Sequence, residues 1–230
     1  MQTANDGRPQ AMIAMSGGVD SSVAAYLMQQ AGYDCMGVTM KLYENEDAGV
    51  PRGNTCCALD DVEDARRVAY ALGMPYYVFN YKDAFREQVM ARFAAAYQRG
   101  ATPNPCLDCN RYLKFGLLET RARALGCEVL ATGHYARAEN GTLYKGMPSN
   151  DQSYMLCRLT PDEVNALLLP LAPYKKTEVR ALAEELGLPV AHKPDSMDIC
   201  FIPDGDYAAW IERRGITPPP GDFVLDGKAG

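Results

Sequence analysis

Short apolar runs alternate with longer stretches of helical apolar spacing through the first half of the chain. The runs have the length of buried strands, and the stretches between them place apolar residues on one face of a helix. The predicted strands are residues 12–15, 35–39, 76–79 and 129–132. The predicted helices are one that ends at Ala31, then residues 58–72, 84–99 and 113–125. Because strand, helix and strand repeat with short loops, the pattern predicts an α/β fold with a doubly wound parallel sheet.

The pattern changes after residue 139. A small turn at Asn140-Gly141 is followed by two predicted helices at residues 161–169 and 175–186, and residues 217–221 have the composition of a stiff linker. The sequence therefore divides into four parts. These are a flexible N-terminus (1–10), an α/β domain (11–138), a helical extension (139–216) and a linker or tail (217–230).

Composition limits the classes of protein to which the chain can belong. It has 230 residues, 47% of them hydrophobic, which is enough for the core of one or two domains. The net charge of −6 argues against nonspecific binding of polyanions, so a nucleic-acid partner would need a defined site. The N-terminus lacks a charged-then-apolar signal pattern, and no apolar run is long enough to cross a bilayer. We therefore expect a cytoplasmic protein without a membrane partner.

The chain contains eight cysteines. Without a secretion signal, this number favours core thiols or thiol chemistry over a disulfide framework. Cys35, Cys127 and Cys157 lie within apolar segments and are predicted to be core thiols. The pair Cys56-Cys57 follows a polar loop and is predicted to begin a helix.

Residues 16–22, with the sequence Ser-Gly-Gly-Val-Asp-Ser-Ser, join the first predicted strand to the first predicted helix. Two glycines allow a tight turn, and hydroxyl residues open a helix whose N–H groups can meet phosphate oxygens. The segment lacks the lysine that ends a Walker loop. It instead resembles the loop of ATP pyrophosphatases, which cleave ATP to AMP and pyrophosphate while adenylating a substrate. A plain turn that caps a helix is the alternative interpretation.

A second chemical feature is the Cys-x-x-Cys motif formed by Cys106 and Cys109. It lies in a proline-stiffened loop, residues 102–110, which is predicted to precede a helix. Two thiols at this spacing suit a disulfide, a metal or an iron–sulfur cluster, and a helix N-terminus favours the thiolate. A zinc site would need two further ligands, and no second Cys-x-x-Cys exists. A third candidate thiol, Cys200, lies in residues 195–202.

Five stretches of the chain, taken in order, resemble the tRNA-specific 2-thiouridylase family. They are residues 16–22, 102–110, 131–135, 150–154 and 195–202. The resemblance covers about residues 11–225. It implies an ATP pyrophosphatase domain of the HUP type over residues 11–138, followed by an extension that carries the second catalytic cysteine. It also implies a tRNA sulfurtransferase that uses ATP and Mg²⁺ to adenylate the C2 oxygen of wobble uridine 34, and then replaces AMP with sulfur.

The resemblance also assigns roles to individual residues. Cys109 matches the nucleophile and Cys200 the persulfide carrier, and the pair is able to close a disulfide after sulfur release. The tRNA-contacting positions implied are Asn104, Pro105, Cys106, Asn150, Asp151 and Gln152. The ATP-binding positions implied are Ala14, Met15, Ser16, Gly17, Gly18, Val19, Asp20, Ser21, Ser22, Met40 and Gly133.

One departure from the family pattern leaves the route of sulfur open. Many members have aspartate where this chain has Cys106. Together with Cys109 and Cys200, this cysteine gives three thiols, the ligand count that leaves one iron of a [4Fe–4S] cluster open to bind sulfide. A persulfide on Cys200 and a cluster held by these three cysteines are therefore both predicted routes. The sulfur source would be a donor protein or sulfide.

The second departure is length. Family members continue into a central domain and a C-terminal β-barrel that help to grip tRNA, which predicts a short form here. A separate protein or an oligomer would then replace the missing domains. Two other interpretations compete with a thiouridylase. One is a different adenylating ligase or amidotransferase with the same loop, and the other is a noncatalytic iron–sulfur or RNA-binding remnant.

Overall fold

The computed structural model describes residues 7–44, 59–195, 199–202, 204–215, 224–225 and 228–229. The predicted helix start at Cys56-Cys57 and the predicted 217–221 linker lie outside the described residues. The strands are β1 (Gln10–Ala14), β2 (Asp34–Lys41), β3 (Tyr76–Asn80), β4 (Val129–Ala131), β5 (Ala136–Glu139), β6 (Thr142–Lys145), β7 (Leu167–Leu168), β8 (Val224–Leu225) and β9 (Lys228–Ala229).

Most of the helices overlap predicted periodic segments, the helix Tyr207–Glu212 was not predicted, and two helices contain π-helical turns. The helices are α1 (Val19–Gln30), α2 (Leu59–Ala71), α3 (82–98), α4 (105–124), α5 (Pro161–Asn165), α6 (Lys176–Glu185) and α7 (Tyr207–Glu212). Within α3, Arg86–Met90 is π-helical between Lys82–Phe85 and Ala91–Gln98. Within α4, Cys109–Leu118 is π-helical between Pro105–Asp108 and Glu119–Ala124. A single 3₁₀ turn, Ser153–Leu156, lies among the described residues.

Within the described residues, five parallel strands form the central sheet in the order β3-β2-β1-β4-β7. The middle strand is β1, in which Ile13 pairs with Gly37 on one side and with Ala131 on the other. Successive β1 side chains point to opposite faces, so Met12 and Ile13 belong to two different core clusters. Both faces of the sheet are thus covered, which confirms the predicted doubly wound fold.

The predicted helix at residues 161–169 is wrong in its second half, which contains strand β7. The helix ends at Asn165, and Leu167–Leu168 pairs in parallel with β4 instead. The Leu130 N–H donates to the Ala166 carbonyl at 2.9 Å, which fixes the register. An apolar run this short fits either a helix or a strand. Pairing with the edge of β4 that faces away from β1 makes it a strand here.

The Cys-x-x-Cys motif also lies elsewhere than predicted. Helix α4 begins at Pro105, so Cys106 and Cys109 lie inside its first turns and not in a preceding loop. The Asn104 side chain caps the helix by accepting from the Cys106 N–H at 3.0 Å. Proline at the first helical position has the φ that a helix requires and leaves no N–H unsatisfied. An Asn-Pro pair that predicts a loop is therefore a helix start here.

The cysteines predicted to be core thiols divide into two groups. Cys35 and Cys127 are buried, as predicted, and burial raises the pKa of each thiol to about 11. Both are therefore protonated and unreactive at neutral pH. Cys157 is exposed, and its prediction as a core thiol is wrong. Its neighbour Leu156 is the residue of that turn which enters the core.

An aromatic cluster at one end of the larger core fixes the segment that carries Cys200. Phe201 is 1% exposed, and its ring lies 5.5 Å from the rings of Phe85 and Phe93 and 5.1 Å from that of Trp210. The residue next to Cys200 is therefore anchored by fully desolvated aromatic contacts. Among the described residues, no helix is long and apolar enough to span a membrane.

Candidate active site

The loop between β1 and α1 is shaped by its own hydroxyl groups. The side chains of Ser21 and Ser22 donate to the Gly18 carbonyl at 3.1 and 2.8 Å, and the Ser16 N–H donates to the Ser21 hydroxyl oxygen at 3.2 Å. Gly18 is the extended residue before the first turn of α1. The turn therefore presents the N-terminus of a helix at the carboxyl end of β1, an arrangement suited to anion binding.

Two glycines are required for the close approach of other backbone segments to this loop. Gly17 has a φ of 75°, and a Cβ there would lie 2.3 Å from the Asp61 carbonyl oxygen at the start of α2. At Gly133, after β4, a Cβ would lie 2.8 Å from the Asp20 carbonyl carbon and from the Ser21 nitrogen. Since neither backbone neighbour can yield, only glycine fits at these two positions. The structure thus places Gly133 against the loop.

Strand β2 holds the start of the loop through a side-chain hydrogen bond. The Thr39 hydroxyl donates to the Met15 carbonyl at 2.8 Å and accepts from the Tyr76 hydroxyl at 2.7 Å. Met40, the next residue, is buried in the larger core. The loop residues Ala14 and Met15 are therefore held by the sheet, which makes the end of β1 a rigid base.

Asp20 is the charged group of the loop and has three contacts. Its carboxylate accepts from the Tyr135 hydroxyl at 2.7 Å and from the Lys176 ammonium at 2.7 and 2.6 Å. Burial, together with the bond to Asp20, raises the pKa of Tyr135, so its hydroxyl is a permanent donor. The Lys176 ammonium also lies 2.8 Å from Asp195, which in turn pairs with Arg180 at 2.8 Å.

A second lysine fastens the loop to α2. The Lys193 ammonium donates to the Gly17 carbonyl at 3.0 Å, to Asp61 at 2.5 Å and to Asp64 at 2.7 Å. Burial alone would lower the pKa of Lys193, but its bonds to the two carboxylates raise it. Neither lysine–loop contact was predicted from sequence. The partners Asp20 and Lys176 are 156 positions apart, and no local pattern marks the pair.

The imidazole of His134 lies just after β4, next to Thr132, and is neutral. Burial lowers its pKa well below the usual range, and the positive charge of Lys114 lowers it further. A ring nitrogen is 2.8 Å from the Thr132 hydroxyl oxygen. His134 therefore carries no positive charge at neutral pH.

Helix α4, which carries the first stretch predicted to contact tRNA, packs against the turn that follows the second stretch. Asn110 is buried, and its side-chain amide donates to the Met155 carbonyl at 3.0 Å. Asp108 forms an ion pair with Arg158, which lies three residues after Met155. Helix α4, with its cap Asn104 and the partly buried Cys106 and Cys109, thus contacts residues 153–158.

Residues 150–152 are engaged within the fold. Asp151 accepts from the Gly146 N–H at 2.7 Å and from the Ser153 N–H at 3.1 Å. Gln152 exchanges two bonds with the backbone of Tyr135, at 2.8 and 3.1 Å. The Asn150 side chain accepts from the Ser149 hydroxyl at 2.9 Å. Gln152 thus links this stretch to the residue whose hydroxyl contacts Asp20.

Cys200 is held by its neighbours from two sides. The Tyr43 hydroxyl donates to the Cys200 carbonyl at 2.5 Å, and Phe201 anchors the following position. Within the part of the chain that the structure describes, no three His, Cys, Asp or Glu side chains are grouped to hold a metal ion. A cluster held by Cys106, Cys109 and Cys200, one of the two sulfur routes predicted from sequence, stays a prediction.

Comparison with known proteins identifies the class of domain and then the family. A family model described as a tRNA methyl transferase HUP domain matches residues 9–204. A tRNA-specific 2-thiouridylase MnmA of Lachnoclostridium phytofermentans is 49% identical over 93% of this chain and 62% of its own length. The same-named protein of Methylorubrum extorquens is 52% identical over 94% and 58%. The chain belongs to the tRNA-specific 2-thiouridylase family, as its five motifs predicted.

Two further facts qualify the comparison. The chain spans only 62% and 58% of the length of these two relatives. A solved 4-thiouridine synthetase, crystallised with RNA and ATP, superposes with a TM-score of 0.53, covering 90% of this chain and 50% of that one. At 18% identity this likeness supports the shared fold alone.

The close approach at Gly133 generates a stability prediction. Gly133→Ala places a methyl group against backbone atoms of the loop, so we expect a loss of about 1–3 kcal/mol in the free energy of unfolding. Gly18→Ala is the matched control in the same loop, because its Cβ would come only to 3.4 Å from the Ser16 hydroxyl oxygen. Its expected cost is below about 1 kcal/mol. Equal costs in urea denaturation would contradict the role given to Gly133.

Proposed function

We propose that this chain catalyses the ATP-dependent 2-thiolation of wobble uridine 34 in tRNA. The observation that carries the proposal is the loop at the end of β1. Asp61 approaches the loop at Gly17, and Gly133 approaches it from the turn after β4, so closely that only glycine fits at both positions. The carboxylate of Asp20 contacts the ammonium of Lys176 near the N-terminus of α1. Such a loop suits the pyrophosphate of ATP, as it does in the family to which the chain belongs.

The chemistry of uridine explains why ATP is needed. The C2 carbonyl oxygen is a poor leaving group, so it first attacks the α-phosphorus of ATP and displaces pyrophosphate. Residues 14–22 would hold the departing pyrophosphate, with Met40 and Gly133 beside the adenosine. Asp20 offers the hard oxygen ligands that Mg²⁺ prefers, and the magnesium ion would neutralise charge on the phosphates.

Sulfur then replaces AMP. The terminal sulfur of a persulfide on Cys200 attacks C2, and AMP leaves with the electron pair of the C2–O bond. The Cys109 thiolate next attacks the inner sulfur of Cys200. The sulfur–sulfur bond breaks, the thiolated base departs as the sulfur anion, and Cys109 and Cys200 are left as a disulfide. A donor protein must supply the persulfide sulfur, and an external thiol must reduce the disulfide for the next turnover.

Three observations support these cysteine roles. Cys109 lies in the first turns of α4, where the helix dipole favours a thiolate. The Cys200 backbone is fixed by Tyr43 and by the buried ring of Phe201. Among the described residues no three His, Cys, Asp or Glu side chains are grouped to hold a metal ion, and the persulfide route needs none.

A basic and aromatic cluster next to Cys109 supports RNA as the substrate. The guanidinium groups of Arg92 and Arg158 lie 4.9 and 5.4 Å from the ring centre of Tyr112. Both arginines pair with Asp108, and their side chains are 47% and 39% exposed. A guanidinium group that reaches solvent binds phosphate well. Because Arg92 and Arg158 both pair with Asp108, the residue before Cys109, they would place an RNA backbone near the thiol.

The first prediction tests the loop. Ser16→Ala and Asp20→Asn should each abolish tRNA-dependent formation of AMP, because the pyrophosphate loses its positioned ligands. Circular dichroism should show both variants folded. Asp83→Asn is the control, since the Asp83 side chain is 95% exposed and pairs only with Arg86 among the described ion pairs. Unchanged AMP formation in both loop variants would contradict the assignment of this loop to pyrophosphate binding.

The second prediction separates the two sulfur routes. If Cys200 carries a persulfide, Cys106 is dispensable, and Cys106→Asp should retain thiolation whereas Cys109→Ala and Cys200→Ala should lose it. Thiolated uridine is measured by mass spectrometry of digested tRNA. Loss of activity in all three variants, together with loss of a visible thiolate–iron absorption band in anaerobically prepared protein, would establish the cluster route instead.

The third prediction concerns the salt dependence of tRNA binding. Arg92→Ala and Arg158→Ala should each weaken binding and should each reduce the slope of log affinity against log salt by about 1. Arg86→Ala is the control, because Arg86 is 56% exposed and pairs with Asp83 on its own helix. A slope that falls equally in the Arg86 variant would remove the cluster as the RNA-binding surface.

A further inference from the structure

We propose that Tyr135 is a positioning residue that couples the binding of tRNA at residues 150–152 to the binding of Mg²⁺–ATP at the loop after β1. The inference rests on the proposed function, which brings both ligands to this chain. Tyr135 itself touches neither ligand. Its hydroxyl fixes the orientation of the Asp20 carboxylate, and its backbone is held by Gln152.

The side chain of Tyr135 forms one end of this connection. It is 2% exposed, and its hydroxyl donates to one carboxylate oxygen of Asp20 at 2.7 Å. The last torsion of an aspartate side chain is broad, so its own rotamer preference does not orient the carboxylate. Lys176 also contacts Asp20, but a lysine has a flexible stem and follows the carboxylate as it turns. A buried phenol loses its acceptor if the carboxylate turns away, so Tyr135 is the contact that selects one orientation.

The backbone of Tyr135 forms the other end. Its N–H donates to the Gln152 side-chain oxygen at 3.1 Å, and its carbonyl accepts from the Gln152 N–H at 2.8 Å. Gly146, after β6, closely approaches the same carbonyl, since a Cβ at Gly146 would lie 2.5 Å from its oxygen. The Gly146 N–H also donates to Asp151 at 2.7 Å. Tyr135 and residues 150–152 therefore belong to one hydrogen-bonded unit, in which a constraint on one acts on the other.

The side-chain amide of Gln152 has one polar group for each side of this connection. Its oxygen accepts from Tyr135, whereas its nitrogen donates to none of the described acceptors and is not buried. The nitrogen is thus available to a phosphate or base of tRNA while the oxygen keeps its bond to Tyr135. A nucleotide bound there restricts Gln152, Tyr135 and Asp20 before ATP arrives. The loop then loses less conformational freedom when it takes up Mg²⁺–ATP, which strengthens the binding of the nucleotide.

The test is calorimetric titration of the whole chain with Mg²⁺ and an ATP analogue whose α- and β-phosphates are joined by a methylene group, which blocks adenylation. Each protein is titrated alone and after saturation with an unmodified tRNA transcript that carries uridine 34. The wild-type chain should bind the analogue about 5- to 20-fold more tightly with tRNA than without it. Tyr135→Phe keeps the ring and the backbone bonds and removes only the hydroxyl, so its gain from tRNA should fall below about twofold. Thermal melts check that each variant is folded.

Gln152→Met tests the other end of the connection independently. The gain from tRNA should again fall below about twofold, with tRNA supplied well above the Kd of this variant. Because the two residues act in series, the variant that combines Tyr135→Phe with Gln152→Met should lose no more of the gain than either single variant. Losses that add in the double variant would show two independent effects and would overturn the inference.

Tyr81→Phe is the matched control. Tyr81 is a partly buried tyrosine directly after β3, and among the described contacts its hydroxyl has none with Asp20 or Gln152. Its gain from tRNA should stay within about twofold of that of the wild-type chain. An equal drop in the Tyr81 and Tyr135 variants would show a general loosening of the fold and would count against the role given to Tyr135.

The remaining outcomes separate this inference from the proposed function. If the wild-type chain binds both ligands and Tyr135→Phe keeps the full gain, or if tRNA leaves the affinity of the wild-type chain for the analogue unchanged, the inference fails and the proposed function stands. If Tyr135→Phe loses the same affinity for the analogue with and without tRNA, Tyr135 only shapes the loop, and the coupling is overturned. If the wild-type chain binds neither ligand, the proposed function fails and the inference fails with it.

Discussion

The close approach of three backbone segments at the carboxyl end of β1 is the constraint on which the site depends. The loop, the start of α2 and the turn after β4 meet where Gly17 and Gly133 lack side chains. Because β1 is the middle strand, the segments that follow its neighbours β2 and β4 converge on the same point. Lys193 then locks the loop to α2 with three hydrogen bonds.

Much of this arrangement could be predicted from the sequence. The four apolar runs were read correctly as parallel strands, because buried strands have short continuous apolar segments bounded by turn residues. The loop was found because its glycines and hydroxyls are adjacent in the chain. The buried thiols Cys35 and Cys127 were predicted from their apolar neighbours alone.

Features that depend on distant partners could not be predicted. Strand β7 forms because the edge of β4 that faces away from β1 is available for pairing. Nothing in the sequence Leu167–Leu168 itself distinguishes a strand from a helical turn. The contact between Lys176 and Asp20 joins residues 156 positions apart, and no local pattern marks either one as the partner of the other. The start of α4 was missed because Asn-Pro is frequent in loops as well as in helix caps.

The π-helical stretch in α4 has a consequence for how the cysteines are aimed. Cys109–Leu118 is wound more loosely than an α-helix, so its side chains advance by a smaller angle at each residue. Replacing the π-helical turns by α-helical turns at the same chain length would rotate Cys106 and Cys109 about the helix axis relative to the residues after Leu118. Asn110 would then lose its bond to the Met155 carbonyl. The winding of this stretch therefore sets the direction of the Cys106 and Cys109 side chains relative to the end of α4.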